Sequence, residues 1–154
     1  MQYWLMKSEP SVFSITDLGQ LPSQTDHWDG VRNYQARNFM KKMKQGDLAF
    51  FYHSNCKPPG IAGIITVVKT AYPDFTALDP NSSYFDPKST KSNPRWFMVD
   101  VKFKEKFKEV ISLNDLRENK ALSQLALLKK GNRLSILPLN EQEWHAVRKM
   151  KKNT

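Results

Sequence analysis

The sequence predicts an α+β fold in which short α-helices flank a curved, barrel-like mixed sheet of about five or six strands. Strand-like and helix-like segments follow one another irregularly, and the predicted strands pair across long gaps in the sequence. Forty per cent of the residues are hydrophobic and 25% are charged, which is typical of a globular protein. A chain of 154 residues can bury one core but is too short for two ordinary domains. We therefore expect one domain over residues 1–154.

The first strand is predicted at Gln2–Met6, ahead of the strand-breaking Pro10. Ser14 is followed three residues later by Asp17, a capping-box pattern that predicts the start of a short helix. Residues 22–33 are polar and predicted to form turns, although they include a tryptophan.

A second helix is predicted at Tyr34–Lys44, where apolar residues recur at intervals of three and four. Gly46 ends it, and two strands follow at Leu48–His53 and Ile61–Lys69. The β-branched run in the second of these strands predicts burial on both faces.

Residues 72–94 contain four prolines and no regular pattern, which is typical of a functional or disordered loop. The next segment, Trp96–Val110, alternates apolar residues with lysines and is predicted to be a long, half-exposed strand. Ser112 repeats the capping pattern and predicts a helix, followed by one or two helical turns at residues 121–128.

A last strand is predicted at Arg133–Leu137. Asn140, with Glu143 three residues later, then caps a final helix that buries one tryptophan and one valine. The chain ends in a basic tail that begins at Lys149 and includes Lys152.

Composition excludes several classes of protein and favours one kind of partner. No apolar run approaches the roughly 20 residues that span a bilayer, and the N-terminus lacks a signal-peptide pattern, so we expect no membrane association. The single cysteine, Cys56, is consistent with a reducing compartment, and the cytoplasm is the expected location, or the nucleus in a eukaryote. The net charge of +9 favours polyanionic partners.

Common catalytic and cofactor motifs are missing from the sequence. The three histidines and Cys56 do not form a zinc-binding pattern, and the loop aspartates are not spaced as in a calcium loop. Cys56 and His53 are close in sequence, but no third residue orients them as a nucleophile and base. No glycine-rich phosphate loop is present. We expect no metal, no cofactor and no catalytic site.

Aromatic rings instead recur beside neutral hydrogen-bonding groups in this basic chain. Trp28 precedes Asn33 and Tyr34, and a strand ends in His53, Ser54 and Asn55. Such groups suit a flat heteroaromatic ligand, because rings stack on its faces while short polar side chains read its edge. Core packing is the alternative role for each tryptophan.

Six segments together resemble the EVE domain family: YWLMKSEP, WDGVRNYQARN, GDLAFFYHSN, AYPD, PRW and GNRLSILP. They follow the family's order over essentially the whole chain. The resemblance implies a PUA-like fold and a non-catalytic module that reads modified bases, notably modified cytosine in DNA. An RNA-binding module, or less readily an enzyme acting on a modified nucleotide, remains the alternative.

By position, the resemblance implies a base pocket built from residues of five segments. Its members would be Lys7, Ser8, Trp28, Val31, Asn33, Tyr34, His53, Ser54, Asn55, Trp96, Arg133 and Ser135. Basic residues around it would hold the phosphate backbone. These candidates are Arg32, Arg37, Lys41, Lys42, Lys44, Lys102, Lys104 and Lys106. The lysines of the long strand could equally be a solvated face that protects a sheet edge.

Overall fold

The computed structural model describes residues 1–151, and Lys152 of the predicted basic tail lies outside the described residues. Within that range the strands are β1 (Tyr3–Ser8), β2 (Thr25–Trp28), β3 (Leu48–His53), β4 (Gly60–Pro73), β5 (Phe97–Ser112) and β6 (Ile136–Leu139). The α-helices are α1 (Ile15–Gln20), α2 (Tyr34–Lys42), α3 (Leu113–Glu118) and α4 (Glu141–Lys149). Short 3₁₀ turns occur at Phe75–Leu78, Lys120–Leu122 and Ala126–Leu128.

The strands form one mixed sheet in the order β2-β5-β4-β3-β1-β6. β1 and β3 are parallel, and the other neighbouring pairs are antiparallel. This confirms the predicted α+β class and strand number. The sheet is not closed, because β2 and β6 are its two edges and do not pair with each other in the described chain.

The sheet curves strongly, as predicted. Trp28 on β2 and Phe51 on β3 are three strand positions apart, which in a flat sheet would separate them by about 14 Å. Their ring centroids are 5.2 Å apart. Register shifts interrupt the pairing of β4 with β5 at four places, and such bulges bend a sheet. The curvature brings β2 over the inner face of β3.

Two hydrophobic clusters lie on opposite faces of the central strands. Trp4 and Phe51 belong to the cluster covered by α1 and α2, whereas Leu5 and Phe50 belong to the cluster covered by α3 and α4. Side chains along a strand alternate between faces, so burial on both sides explains why β1 and β3 are almost continuously apolar.

The predicted helix starts are confirmed by their caps. The Ser14 hydroxyl accepts a hydrogen bond from the Asp17 amide at 3.0 Å, and the Asn140 side chain accepts one from the Glu143 amide at 2.7 Å. The predicted end of α2 at Lys44 was wrong. The helix ends at Lys42, because the Lys44 amide donates to the buried Asp47 carboxylate at 3.0 Å.

Two strand predictions were also wrong. Residues 25–28 were expected to be turns but form β2, since they pair with β5 from Thr25↔Lys102 to Trp28↔Val99. The last strand begins at Ile136 and not at Arg133. It includes Pro138, which is tolerated because β6 is an edge strand with one neighbour.

Candidate functional site

A cavity of about 870 Å³ opens where the ends of β1 and β3 approach the turn between β2 and α2. Parallel pairing, which ends at Ser8↔His53, brings both strand ends to the same edge of the sheet. The volume is in the range of small-molecule sites, about 300–1,000 Å³. The lining residues are Lys7, Ser8, Glu9, Val12, Phe13, His27, Trp28, Asp29, Gly30, Val31, Arg32, Ser54, Asn55, Tyr84, Asn132, Arg133 and Ser135.

Backbone hydrogen bonds hold the three segments of the strand-end wall together. The Ser54 amide donates to the Ser8 carbonyl at 3.0 Å, and the Lys7 amide donates to the Ser135 carbonyl at 2.8 Å. The Ser8 hydroxyl donates to the Phe13 carbonyl at 2.7 Å. This wall is fixed mainly through main-chain atoms, so the hydroxyls of Ser54 and Ser135 remain available to a ligand.

The opposite wall depends on the buried carboxylate of Asp74. It accepts hydrogen bonds from the Gly30 amide at 2.9 Å, from Arg32 Nη1 at 3.0 Å and from the Thr76 amide at 2.8 Å. Burial opposes ionisation, but these hydrogen bonds outweigh it and lower the pKa of Asp74 below its usual value. Asp74 thereby fixes the turn after β2 to the start of the long loop, which connects β4 to β5 (residues 74–96).

Tyr84 closes this side of the cavity from the long loop. Its carbonyl accepts hydrogen bonds from Arg32 Nε at 3.0 Å and Nη2 at 2.7 Å. Its ring lies on Gly30, where a Cβ would be only 2.7 Å from the ring carbon Cζ. The side chain is still 37% exposed, compared with 6% for Trp28. The loop therefore presents an accessible aromatic face to the cavity.

Two ionisable side chains that line the cavity, Lys7 and Asp29, have pKa values displaced from their usual ones. Burial lowers the pKa of the Lys7 ammonium, whose Nζ lies 5.8 Å from the centre of the Tyr52 ring. Burial raises the pKa of the Asp29 carboxyl, and the nearby His27 opposes that rise. Lys7, which makes no hydrogen bond or ion pair through its ammonium within residues 1–151, favours a ligand that offers an acceptor, because burial without a polar partner is costly.

Eight of the twelve predicted pocket residues line this one cavity. They are Lys7, Ser8, Trp28, Val31, Ser54, Asn55, Arg133 and Ser135. They come from β1, the end of β2 and the turn after it, the segment after β3, and the residues before β6. The structure thus brings together four segments that the sequence related only through the family resemblance.

The other four predicted residues, Asn33, Tyr34, His53 and Trp96, do not line the cavity, and each makes contacts elsewhere. Asn33 caps α2, where its side chain accepts from the Ala36 amide at 2.9 Å. His53 Nε2 accepts a hydrogen bond from the Ile15 amide at 3.2 Å. The pKa of His53 is lowered, mainly by burial and also by the positive charge of Lys106. Trp96 donates through Nε1 to Asp86 at 2.7 Å and stacks on Tyr34 with the ring centroids 4.9 Å apart.

Among the predicted phosphate-binding residues, Arg32 lines the cavity and is held by Asp74, Thr76 and Tyr84. Arg37 donates to the Arg95 carbonyl at 2.9 Å. The remaining lysines are exposed on α2, just after it, or on β5, and none of them lines the cavity. They are Lys41, Lys42, Lys44, Lys102, Lys104 and Lys106.

Sequence reasoning missed several residues of the cavity. Asp29 lies within the quoted WDGVRNYQARN segment, directly after Trp28, and its position there was an available signal. Tyr84 lies within the irregular segment predicted at residues 72–94, and its exposure could not be read from the sequence. Asn132 lies within the quoted GNRLSILP segment, so the same signal was available for it, whereas His27 lies just before the WDGVRNYQARN segment and gave none.

Two candidate chemistries of the sequence, a metal cluster and a Cys56–His53 pair, can be compared with the described residues. Within residues 1–151 no group of three or more His, Cys, Asp and Glu side chains could hold a metal ion. The Cys56 thiol lies 3.6 Å from the Pro58 carbonyl, His53 Nε2 accepts from the Ile15 amide, and no hydrogen bond joins Cys56 to His53 in the described part of the chain. No helix within this range is long and apolar enough to cross a membrane.

Comparisons with known proteins agree on one family. The EVE domain family model matches residues 2–150. Thymocyte nuclear protein 1 from Homo sapiens is 49% identical over 162 residues, which cover 94% of this chain and 72% of that protein. A crystal structure of a protein from Pseudomonas syringae superposes with a TM-score of 0.93 at 53% identity, covering 96% of this chain and 98% of that one.

A second solved structure shows a relative with a bound partner. The human THYN1 protein in complex with 5-methylcytosine-containing DNA matches with a TM-score of 0.93 and 46% identity, covering 100% of this chain and 99% of that one. Together with the match along residues 2–150, these similarities settle the classification. The chain belongs to the EVE domain family.

Proposed function

We propose that this protein binds DNA without catalysis and reads modified cytosine by taking the base into the cavity between the strand ends and the β2–α2 turn. The observation that carries the proposal is the structural match along the whole of this chain to the human THYN1 chain that was solved with 5-methylcytosine-containing DNA. A base inside a duplex cannot reach such a cavity, so it would have to leave the stack. A DNA partner also implies that the protein works where DNA is, in the cytoplasm of a prokaryote or the nucleus of a eukaryote.

Trp28 and Tyr84 supply aromatic surface for the base. Both rings line the cavity, and Tyr84 is the more exposed of the two. Stacking on such a ring contributes about 1–3 kcal/mol per base and depends little on which base is bound. Stacking therefore supports affinity, and selection among bases requires other groups.

Selection for the modification follows from the apolar and polar parts of the lining. Val31 and Phe13 provide apolar surface for a 5-methyl group. Burial of one methyl group contributes about 0.8 kcal/mol, which corresponds to roughly fourfold preference over plain cytosine. A hydroxymethyl group could add a hydrogen bond to a serine hydroxyl of the opposite wall.

The DNA backbone would be held by cations beside the cavity. Lys130 and Arg133 border a shallow groove that continues from the cavity through Asn132 and Arg133. Both side chains are exposed, and within residues 1–151 neither makes a hydrogen bond or ion pair. Unpaired cations next to the base cavity suit a flanking phosphate, and they would make affinity fall as salt rises.

A binding titration tests the proposal. Duplexes that differ at one position, carrying cytosine, 5-methylcytosine or 5-hydroxymethylcytosine, would be titrated at one fixed, moderate salt concentration. We expect the methylated duplex to bind about fourfold or more tightly than the unmodified one. Equal, weak binding of all three would contradict the reader function.

Two controls separate the alternative functions. The same sequence made as RNA should bind less tightly than the DNA, and a preference for the RNA would indicate recognition of the 2′-hydroxyl. The methylated oligonucleotide should be recovered chemically unchanged after long incubation with the protein. Conversion of the base would contradict a non-catalytic role.

A further inference from the structure

A pocket that selects 5-methylcytosine faces a second discrimination, against thymine. Both bases carry a methyl group at C5 and present the same face for stacking. They differ at position 4, where cytosine has an amine that donates and thymine has a carbonyl that accepts. An apolar niche for the methyl group cannot separate them, so the cavity needs a side chain that accepts hydrogen bonds and does not donate.

Most polar side chains of the cavity do not meet that requirement. Ser54, Ser135 and Asn55 can donate as well as accept, so they can serve either base. The Glu9 carboxylate also only accepts, but it is exposed, so water competes for its lone pairs, and it accepts from Asn55 Nδ2 at 3.1 Å. Asn132 donates to the Ala126 carbonyl and accepts from the Leu134 amide, both at 2.9 Å.

Asp29 is the remaining carboxylate of the lining. Its partner from another residue within the described chain is His27, whose Nε2 lies 3.4 Å from Asp29 Oδ2. An ionised carboxylate has about four lone-pair positions, so this contact leaves acceptor capacity free. Asp29 also follows Trp28 directly in the sequence, and both residues line the cavity.

We propose that Asp29 accepts a hydrogen bond from the exocyclic amine of the bound cytosine and thereby excludes thymine. This inference rests on the proposed function. Lys7, Ser54 and Ser135, which also line the cavity, supply donors for N3 and O2, both of which are acceptors in cytosine. A thymine in the same position would place its O4 carbonyl against the carboxylate, leaving two acceptors without a proton between them.

The test compares 5-methylcytosine with thymine at one position of a duplex. Each base is placed opposite an abasic site, because a thymine opposite guanine is mispaired and would leave the stack more easily. We expect the wild-type protein to prefer 5-methylcytosine by about tenfold or more. A wild-type ratio near one would overturn the inference directly, even if no variant could be purified.

The variant D29N should lose the discrimination. An amide can turn its oxygen toward an amine or its NH₂ toward a carbonyl, so the preference over thymine should fall toward one. The matched control is D26N, the same change at the carboxylate on the other side of His27, 3.1 Å from its Nδ1 and outside the cavity lining. We expect D26N to keep the wild-type preference.

The outcomes separate this inference from the proposed function. Failure of the wild-type protein to prefer 5-methylcytosine over cytosine would contradict the proposed function itself. A wild-type preference over cytosine, combined with unchanged discrimination against thymine in D29N, would overturn the role of Asp29 alone. Equal loss of discrimination in D29N and D26N would also overturn it, because the effect would then follow the charge around His27.

Discussion

At the scale of single residues, the aromatic side chains near the site have different roles. Trp28 is 6% exposed and packs edge-on against Phe51, so it belongs to the core as well as to the cavity. Trp96 is equally buried but is held away from the cavity by Asp86 and Tyr34. Removing Trp28 would test stability more than binding, because Trp→Ala in a core costs about 3–5 kcal/mol.

Tyr84 is the better probe of stacking, because its ring is accessible and its loop is anchored through a backbone carbonyl. We expect Tyr84→Ala to weaken binding of methylated DNA by about 1–3 kcal/mol, and Tyr84→Phe to keep most of the affinity because the ring remains. Titrations with both variants, alongside thermal melting, provide the measurement. Loss of affinity in Tyr84→Phe equal to that in Tyr84→Ala would argue against stacking.

The hydrogen-bonded carboxylate of Asp74 should make the stability of the folded protein depend on pH. Hydrogen bonds from Gly30, Thr76 and Arg32 lower its pKa in the folded protein relative to about 3.9 in the unfolded chain. Its contribution is therefore complete above that unfolded value and is lost as the pH falls through the folded pKa. We expect Asp74→Asn to lower the free energy of unfolding at pH 7 by about 1–3 kcal/mol.

Urea unfolding of wild type and Asp74→Asn at pH 7 and at pH 3 checks the sign. The difference between the two proteins should shrink at pH 3, below the ordinary carboxyl pKa, because the unfolded wild-type chain then binds a proton that the folded carboxylate resists. A difference that is as large at pH 3 as at pH 7 would show that the charge of Asp74 is not what stabilises the turn.

At the scale of elements, the cavity depends on how close the β2–α2 turn comes to the long loop. Gly30 has φ +79°, in the left-handed region that glycine favours, and the Tyr84 ring occupies the place of its missing side chain. We expect Gly30→Ala to displace Tyr84 and weaken binding of methylated DNA, in addition to a backbone cost of about 1–2 kcal/mol.

Gly46 offers a matched control for that substitution. Its φ is +94°, and nothing lies within 4 Å of a Cβ built on it. Gly46→Ala should carry a similar backbone cost while leaving DNA binding unchanged, measured by melting and titration of both variants. If both substitutions weaken binding equally, contact between Gly30 and Tyr84 is not what shapes the cavity.

The sequence predicted elements whose signals are local. The capping boxes at Ser14 and Asn140 and the apolar strand ending at His53 all depend on neighbouring residues, and the structure confirms them. It did not predict β2, whose four residues Thr25–Trp28 are mostly polar. These residues form a strand because they pair with β5, some seventy residues later in the sequence, and only the folded chain brings that partner to them.

The candidate site likewise combines features that neighbouring residues determine with features that depend on residues far away in the sequence. The roles of Asn33 and His53 depend on which backbone amide reaches each side chain. For Asn33 this was readable, because an asparagine directly before a helix is a common N-cap. For His53 it was not, because the Ile15 amide is 38 residues away in sequence. The accessible face of Tyr84 likewise depends on how a proline-rich loop folds back over Gly30.

At the scale of the whole molecule, the net charge of +9 should draw DNA to the protein, while a few cations near the cavity should contact it. Each phosphate contact contributes about −0.9 to the slope of log K against log salt concentration. We expect the double variant Lys130→Gln, Arg133→Gln to make that slope less steep by about two units.

A second double variant, Lys104→Gln with Lys108→Gln, removes the same charge from exposed positions on β5. Comparing how the DNA affinity of the two variants depends on salt concentration shows which surface of the protein contacts the DNA backbone. A smaller change for the β5 pair is expected, since those lysines do not border the cavity. The reverse order would place the DNA along the lysine row of β5.

Under the proposed function, a modified cytosine leaves the DNA stack and occupies the cavity between the strand ends and the β2–α2 turn. The most direct measurement is a crystal structure of this protein with a duplex containing one 5-methylcytosine. We expect the methylated base outside the helix, against Trp28 and Tyr84, with its exocyclic amine toward Asp29. A methylated base that remains stacked in the duplex, with no base in the cavity, would contradict the proposed function.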